Sequence, residues 1–168
     1  MIIYDISMTI HADMQVYKTK SEKRPELKIT RDFKEAPARE TRLSMDMHTG
    51  THLDMPLHFV PGGNTVEQLD LTRVITTCRV IDLTHIDKVI RREDLLPYDI
   101  KAEETILLKT RNSLVDHFDP EFVYLAADGA SLLIEKGINC VGIDGLGIER
   151  DQPDYSTHKP LLNSDIII

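Results

Sequence analysis

The sequence predicts an α/β fold: a single mixed-sheet domain spanning residues 1–168. Three observations carry the α/β prediction. Apolar, β-branched runs recur at Val74–Leu83, Thr105–Lys109 and Asn139–Ile143. Between the last two lies a stretch with helical spacing, in which Ala127, Ala130, Leu133 and Ile134 share a face. Gly137 then stands where a helix C-terminus needs a left-handed residue. This helix–glycine–strand unit suggests a mixed α/β domain.

Taken in order, Ile2–Ile6 is a short apolar run that predicts a buried strand, and residues 7–24 carry no period and predict a loop. Leu27–Asp32 alternates weakly and predicts a strand, and Ala36-Pro37-Ala38 a turn. Thr41–Met47 alternates well, with Leu43, Met45 and Met47 on one face, and predicts a half-buried strand. Residues 50–64 hold Gly50, Gly62, Gly63, Pro56 and Pro61, which predicts irregular chain with short helical turns. Arg91–Leu96 predicts a short helix ended by Pro97, and Ala126–Lys136 a longer one. Asp165–Ile168 reads as the beginning of a buried strand.

The 168 residues suit one domain with one core, and no repeat or linker divides them. The formal charge of -8, with no clustered Lys/Arg beyond the loop residues Lys18, Lys20, Lys23 and Arg24, argues against nucleic acid as a partner. No apolar stretch approaches the roughly 20 residues that span a bilayer, which argues against membrane insertion. Cys78 and Cys140 belong to no CxxC pair and sit in apolar runs, so buried free thiols in a reducing, cytoplasmic compartment are expected. No basic segment followed by a long apolar core opens the chain, so no secretory leader is expected.

The chemistry concentrates in His48-Thr49-Gly50-Thr51-His52-Leu53-Asp54-Met55-Pro56-Leu57-His58-Phe59. Three of the seven histidines and one aspartate fall between 48 and 58. Imidazole and carboxylate are the usual ligands of zinc, manganese and iron. A straight strand would spread 48 to 58 over roughly 33 Å. A straight helix would rotate 54 about 200° from 52. Convergence therefore requires a turn, which Gly50 and Pro56 supply. A hydrogen-bonded structural loop is the competing reading of the same residues. Thr49 and Thr51 suit backbone capping or support of a ligand. Leu53, Met55, Leu57 and Phe59 are expected to pack away from the ligands. Asp144, closing a buried strand, suits either a turn cap or a hold on a metal-ligating side chain, and His11, His85 and His117 read as surface residues.

This run resembles the HxGTHxDxPxHF signature of the cyclase-type metal-dependent hydrolases, which include bacterial kynurenine formamidases and isatin hydrolases. The resemblance extends to Asp5-Ile6-Ser7 with Met14 and Tyr17, to Leu107-Leu108-Lys109-Thr110, and to Gly142-Ile143-Asp144 with His158. It implies that His48, His52 and Asp54 bind a first divalent metal, that Asp54 bridges to a second, and that His158 binds the second. His58 would be the catalytic proton donor and acceptor, and Tyr17 would lie against the substrate. Zinc is the implied ion and manganese the alternative, in one or two sites. The implied reaction is hydrolysis of an amide, an aryl formamide or a cyclic amide, in a small molecule. The alternatives are ring-opening of a lactone or lactam, or a cyclase or dehydratase step. The resemblance also implies a mixed-sheet domain of the swivelling β/β/α type and a homo-oligomer, and it places one more metal-ligating glutamate beyond Ile168. The chain is thus expected to stop short of that residue. If that ligand is essential, a non-catalytic metal- or small-molecule-binding protein is the remaining alternative.

Overall fold

Backbone pairing in the computed structural model, which describes residues 2–168, follows the apolar runs with two exceptions. Residue contacts divide the chain into two compact units. One comprises residues up to His52 together with Asp116–Phe118; the other comprises Leu53–Val115 and Asp119–Ile168.

In the first unit, β1 (Glu26–Arg31) and β2 (Glu40–Ser44) form an antiparallel ribbon, with Leu27 opposite Leu43. Every residue of both strands is exposed, so β2 is not half-buried as its alternation predicts. Alternation reports that one face is apolar, whereas burial needs a second layer within the unit. The first exception lies here. Ile2–Ile6 is not a strand; Ile2, Ile3 and Tyr4 are 78%, 74% and 78% exposed. An apolar run encodes a preference for extended chain but not a partner to pair with. Residues 7–24 form the expected loop, tightened by 3-10 turns at Tyr17–Thr19 and Ser21–Lys23.

The second unit holds the core. β3 (Cys78–Asp82), β5 (Thr105–Lys109) and β7 (Cys140–Ile143) form a parallel sheet in the order β3-β5-β7. A second parallel pair joins β4 (Val89–Ile90) to β6 (Tyr124–Leu125). Central β5 is buried along most of its length, as a strand covered on both faces should be. β3 is shorter than the predicted Val74–Leu83 run, because residues 74–76 turn instead of extending. That shortening is the second exception, and Cys78, though paired, departs from its expected burial. It is exposed rather than buried, on the same open face of edge strand β3 as Val80. Cys140 is buried as expected, and burial pushes its thiol up to about 11, so it stays protonated.

Helix α1 (Arg92–Leu95) begins where Asp94 accepts the Arg91 amide, and Pro97 lies in a 3-10 turn that continues it. Helix α2 (Ala127–Lys136) buries Gly129, Ala130, Leu132 and Leu133 and ends at Gly137, whose φ of +65° is left-handed. Helix α3 (His158–Asn163) buries Leu161 and Leu162. Ile166 and Ile167 are also buried, and Ile167 bridges in parallel to Cys140, extending the sheet beside β7. No helix among the described residues is long and apolar enough to cross a membrane.

Candidate metal centre

The division between the two units falls inside the motif, after His52. Gly50 has a φ of +68°, and a Cβ there would stand 3.0 Å from the Met14 Cε. The backbone conformation therefore favours glycine, and an added Cβ would press on the flexible end of buried Met14. The tight turn brings His48 and His52 edge to face, with ring centroids 5.3 Å apart. The Gly50 carbonyl accepts from Nδ1 of His52 at 2.9 Å. A carbonyl accepts only, so the neutral His52 ring carries its proton on Nδ1 and its lone pair on Nε2.

His48 is tethered through its backbone amide, which donates to Asp46. Asp46 in turn pairs with Lys23 at 2.7 Å. The Lys23 side chain, then the His48 amide, hold the Asp46 carboxyl below its ordinary value despite partial burial. The threonines act as predicted: buried Thr49 donates to the Lys23 carbonyl, and Thr51 accepts the Met8 amide. Tyr17 is half-buried in the same unit, with its ring 5.2 Å from that of Phe118 at a 70° angle and Lys18 above it.

In the second unit Asp54 is buried at 5% exposure, and its amide donates to the Ile168 carbonyl. Pro56 starts a 3-10 turn, Pro56–His58, closed by the Phe59 amide on the Pro56 carbonyl, which also accepts the Val60 amide. His158 lies at the first residue of α3 and is 8% exposed. Its Nε2 faces Oδ2 of Asp54 across 3.7 Å. His58 is exposed, with its ring centroid 6.3 Å from that of His158.

The apolar companions behave differently from expectation. Leu53 and Leu57 are 41% and 50% exposed, while Phe59 turns toward the imidazoles. Its ring lies 4.3 Å from His58, 4.6 Å from His158 and 4.7 Å from Tyr155. The 3-10 turn explains this. At three residues per turn, alternation no longer separates polar from apolar side chains.

Glu149 has no counterpart in the sequence reading. It is 5% exposed, and its Oε2 lies 2.6 Å from Nδ1 of His158. The two oxygens also accept the backbone amides of Thr157 and His158. Burial works against its charge, but the hydrogen bonds from the His158 ring and then from the two amides outweigh it, so the carboxyl sits below its ordinary value. No spacing rule marks Glu149; an acid next to the buried Ile148 is the one local sign. Asp144 caps as predicted, accepting from the Thr110 amide, the Thr110 hydroxyl and the Ser113 amide.

The donor chemistry fits a divalent ion. Imidazole nitrogen and carboxylate oxygen, each about 2.0–2.2 Å from a shared ion, stand roughly 3–4 Å apart across ordinary coordination angles. The Asp54–His158 separation falls in that span.

Residues 4–150 match the family model described as putative cyclase. A kynurenine formamidase of Bacillus cereus is 33% identical over 129 residues, which are 76% of this chain and 61% of that one. The chain thus spans less than two thirds of the length of that curated relative. A solved structure described as a potential metal-dependent hydrolase with cyclase activity superposes with a TM-score of 0.90 at 42% identity, covering 98% of this chain and 78% of the other. Isatin hydrolase A from Labrenzia aggregata superposes with a TM-score of 0.84 at 21% identity, covering 98% and 77%, a likeness of fold alone. With the signature at 48–59 inside the matched region and the fold shared along nearly the whole length, this chain belongs to the putative cyclase family.

Proposed function

We propose that this chain carries the metal centre of a hydrolase that cleaves an amide in a small molecule, with an aryl formamide as the substrate class. The observation that carries the proposal is the buried opposition of Asp54 Oδ2 and His158 Nε2. Further support comes from the motif itself, whose imidazoles and carboxylate between 48 and 58 are the usual ligand types of divalent metals. In this reading His48, His52 and Asp54 hold one ion, and Asp54 and His158 a second. The kynurenine formamidase relative supports the substrate class.

When bound, a divalent ion supplies an acidified water and an electrophile for the carbonyl oxygen. His58 takes the proton released as water adds to the carbonyl carbon and returns it to the nitrogen as the C–N bond breaks, leaving formate and an amine. Phe59 holds the His58 ring edge-on, and Tyr17 receives the aryl group. Zinc suits the imidazole-rich donor set, with manganese as the alternative. The proposal extends to a homo-oligomer in the cytoplasm. Exposed Leu27, Ile29 and Leu43 on the ribbon suit a second copy, and the free thiols suit a reducing compartment.

The test is hydrolysis of N-formylkynurenine by protein purified without chelator, beside isatin and small lactones, with the metal content measured on the same sample. Selective release of formate is expected. Stoichiometric metal with none of the three substrates hydrolysed overturns the proposal. Turnover of lactones alone moves the site to ring-opening chemistry.

A further inference from the structure

We infer that Glu149 is a positioning residue that locks His158 in one tautomer and one orientation, so that half of a metal site is formed before any ion arrives. The inference rests on the reading of His158 as a metal ligand but is tested separately from it.

Both oxygens of Glu149 accept backbone amides, the pattern of a carboxylate that only accepts. Glu149 Oε2 lies 2.6 Å from Nδ1 of His158, so the ring proton sits on Nδ1. The neutral ring's lone pair is then on Nε2, the nitrogen that faces Asp54. The same carboxylate grips the His158 amide, and its other oxygen grips the Thr157 amide. The Thr157 hydroxyl donates in turn to the Leu125 carbonyl at 2.8 Å, tying the ring's support to β6. Ring and backbone of His158 are therefore held by one side chain, which is itself buried and cannot swing away. Such an outer partner sets which nitrogen an imidazole offers and raises its basicity as a ligand. The Gly50 carbonyl does the same for His52 in the other unit.

The tautomer is read directly by long-range proton–nitrogen NMR of histidine rings. The sample is metal-free wild-type protein with labelled imidazoles, at alkaline pH where the rings are neutral, and His158→Asn assigns the signal. The expected pattern is a proton on Nδ1 of His158. Glu149→Gln, whose amide can turn its NH₂ toward the ring, should give a mixture containing the Nε2–H form. It should also weaken zinc or manganese binding, measured by calorimetry, on the order of 10–100-fold. Glu149→Asp should recover part of that loss. An Nε2–H ring in the wild type overturns the inference, as does unchanged metal affinity in a folded Glu149→Gln protein. The wild-type measurement stands even if the variant fails to fold. An Nδ1–H ring in a wild type that binds no zinc or manganese supports the positioning role and overturns the metal reading instead.

Discussion

Asp54 and His158 face each other, Oδ2 to Nε2, across 3.7 Å, each drawn from a different part of the second unit and each nearly buried. The gap is too long for a hydrogen bond and suits a shared cation. Asp54→Asn keeps the volume and removes the anionic ligand. Metal content, read by elemental analysis, should fall below stoichiometric. Formamide hydrolysis should drop by roughly 1000-fold or more, the scale expected when water is no longer acidified by a metal. Full metal occupancy in this variant would contradict the assignment.

The role proposed for His58 is proton transfer and not metal holding. His58→Ala should therefore retain bound metal while kcat falls by roughly 100–10,000-fold, the range for a lost general acid–base group. A variant that loses metal and activity together would show His58 to be a ligand.

Gly50 is placed by its φ of +68° and its approach to Met14. Gly50→Ala should cost about 1–2 kcal/mol for the left-handed backbone alone. It should also weaken metal binding, because the Gly50 carbonyl orients His52. Chemical denaturation measures the first effect and metal titration the second. A neutral result in both would remove the turn from the argument.

The two units should answer core truncation differently. Leu133 is fully buried in α2, so Leu133→Ala should cost about 2–5 kcal/mol in denaturant unfolding. Leu43 on the exposed ribbon is 47% exposed, and Leu43→Ala should change the stability of the monomeric protein by about 0.5 kcal/mol or less. A large effect at Leu43 would indicate that another surface covers the ribbon in solution.

Acid should unfold the metal-free protein through its hydrogen-bonded carboxylates. The Thr84 hydroxyl chiefly holds the Asp82 carboxyl below its ordinary value, the Thr72 amide does so for Asp70, and the Arg92 guanidinium for Glu135. A carboxyl lowered on folding contributes stability above its unfolded value, and that contribution is lost as pH falls through the lowered one. The melting temperature should therefore be flat from neutrality to about pH 5 and fall as the pH drops through about 4 and below. Asp82→Asn should make that decline slightly shallower. A melting temperature that rises on acidification would contradict the sign.

Much of the local order was legible in the residues. The apolar run at 105–109 is β5, the helical period at 126–136 is α2 to within one residue, and Gly137 caps it as predicted. In the run at 48–59, Gly50 and Pro56 marked the turns that fold it. These features are legible because propensity, period and turn chemistry act between residues a few positions apart. Contact across the chain was not. Ile2–Ile6 and Leu43 are apolar yet exposed, because hydrophobicity states a preference and topology decides whether a covering layer exists. His158 alone would be a loop histidine. Only the tertiary structure sets its Nδ1 on Glu149 and its Nε2 toward Asp54. Which ring nitrogen faces a partner distant in the chain depends on how the sheet and α3 pack, and no local pattern of residue types encodes that.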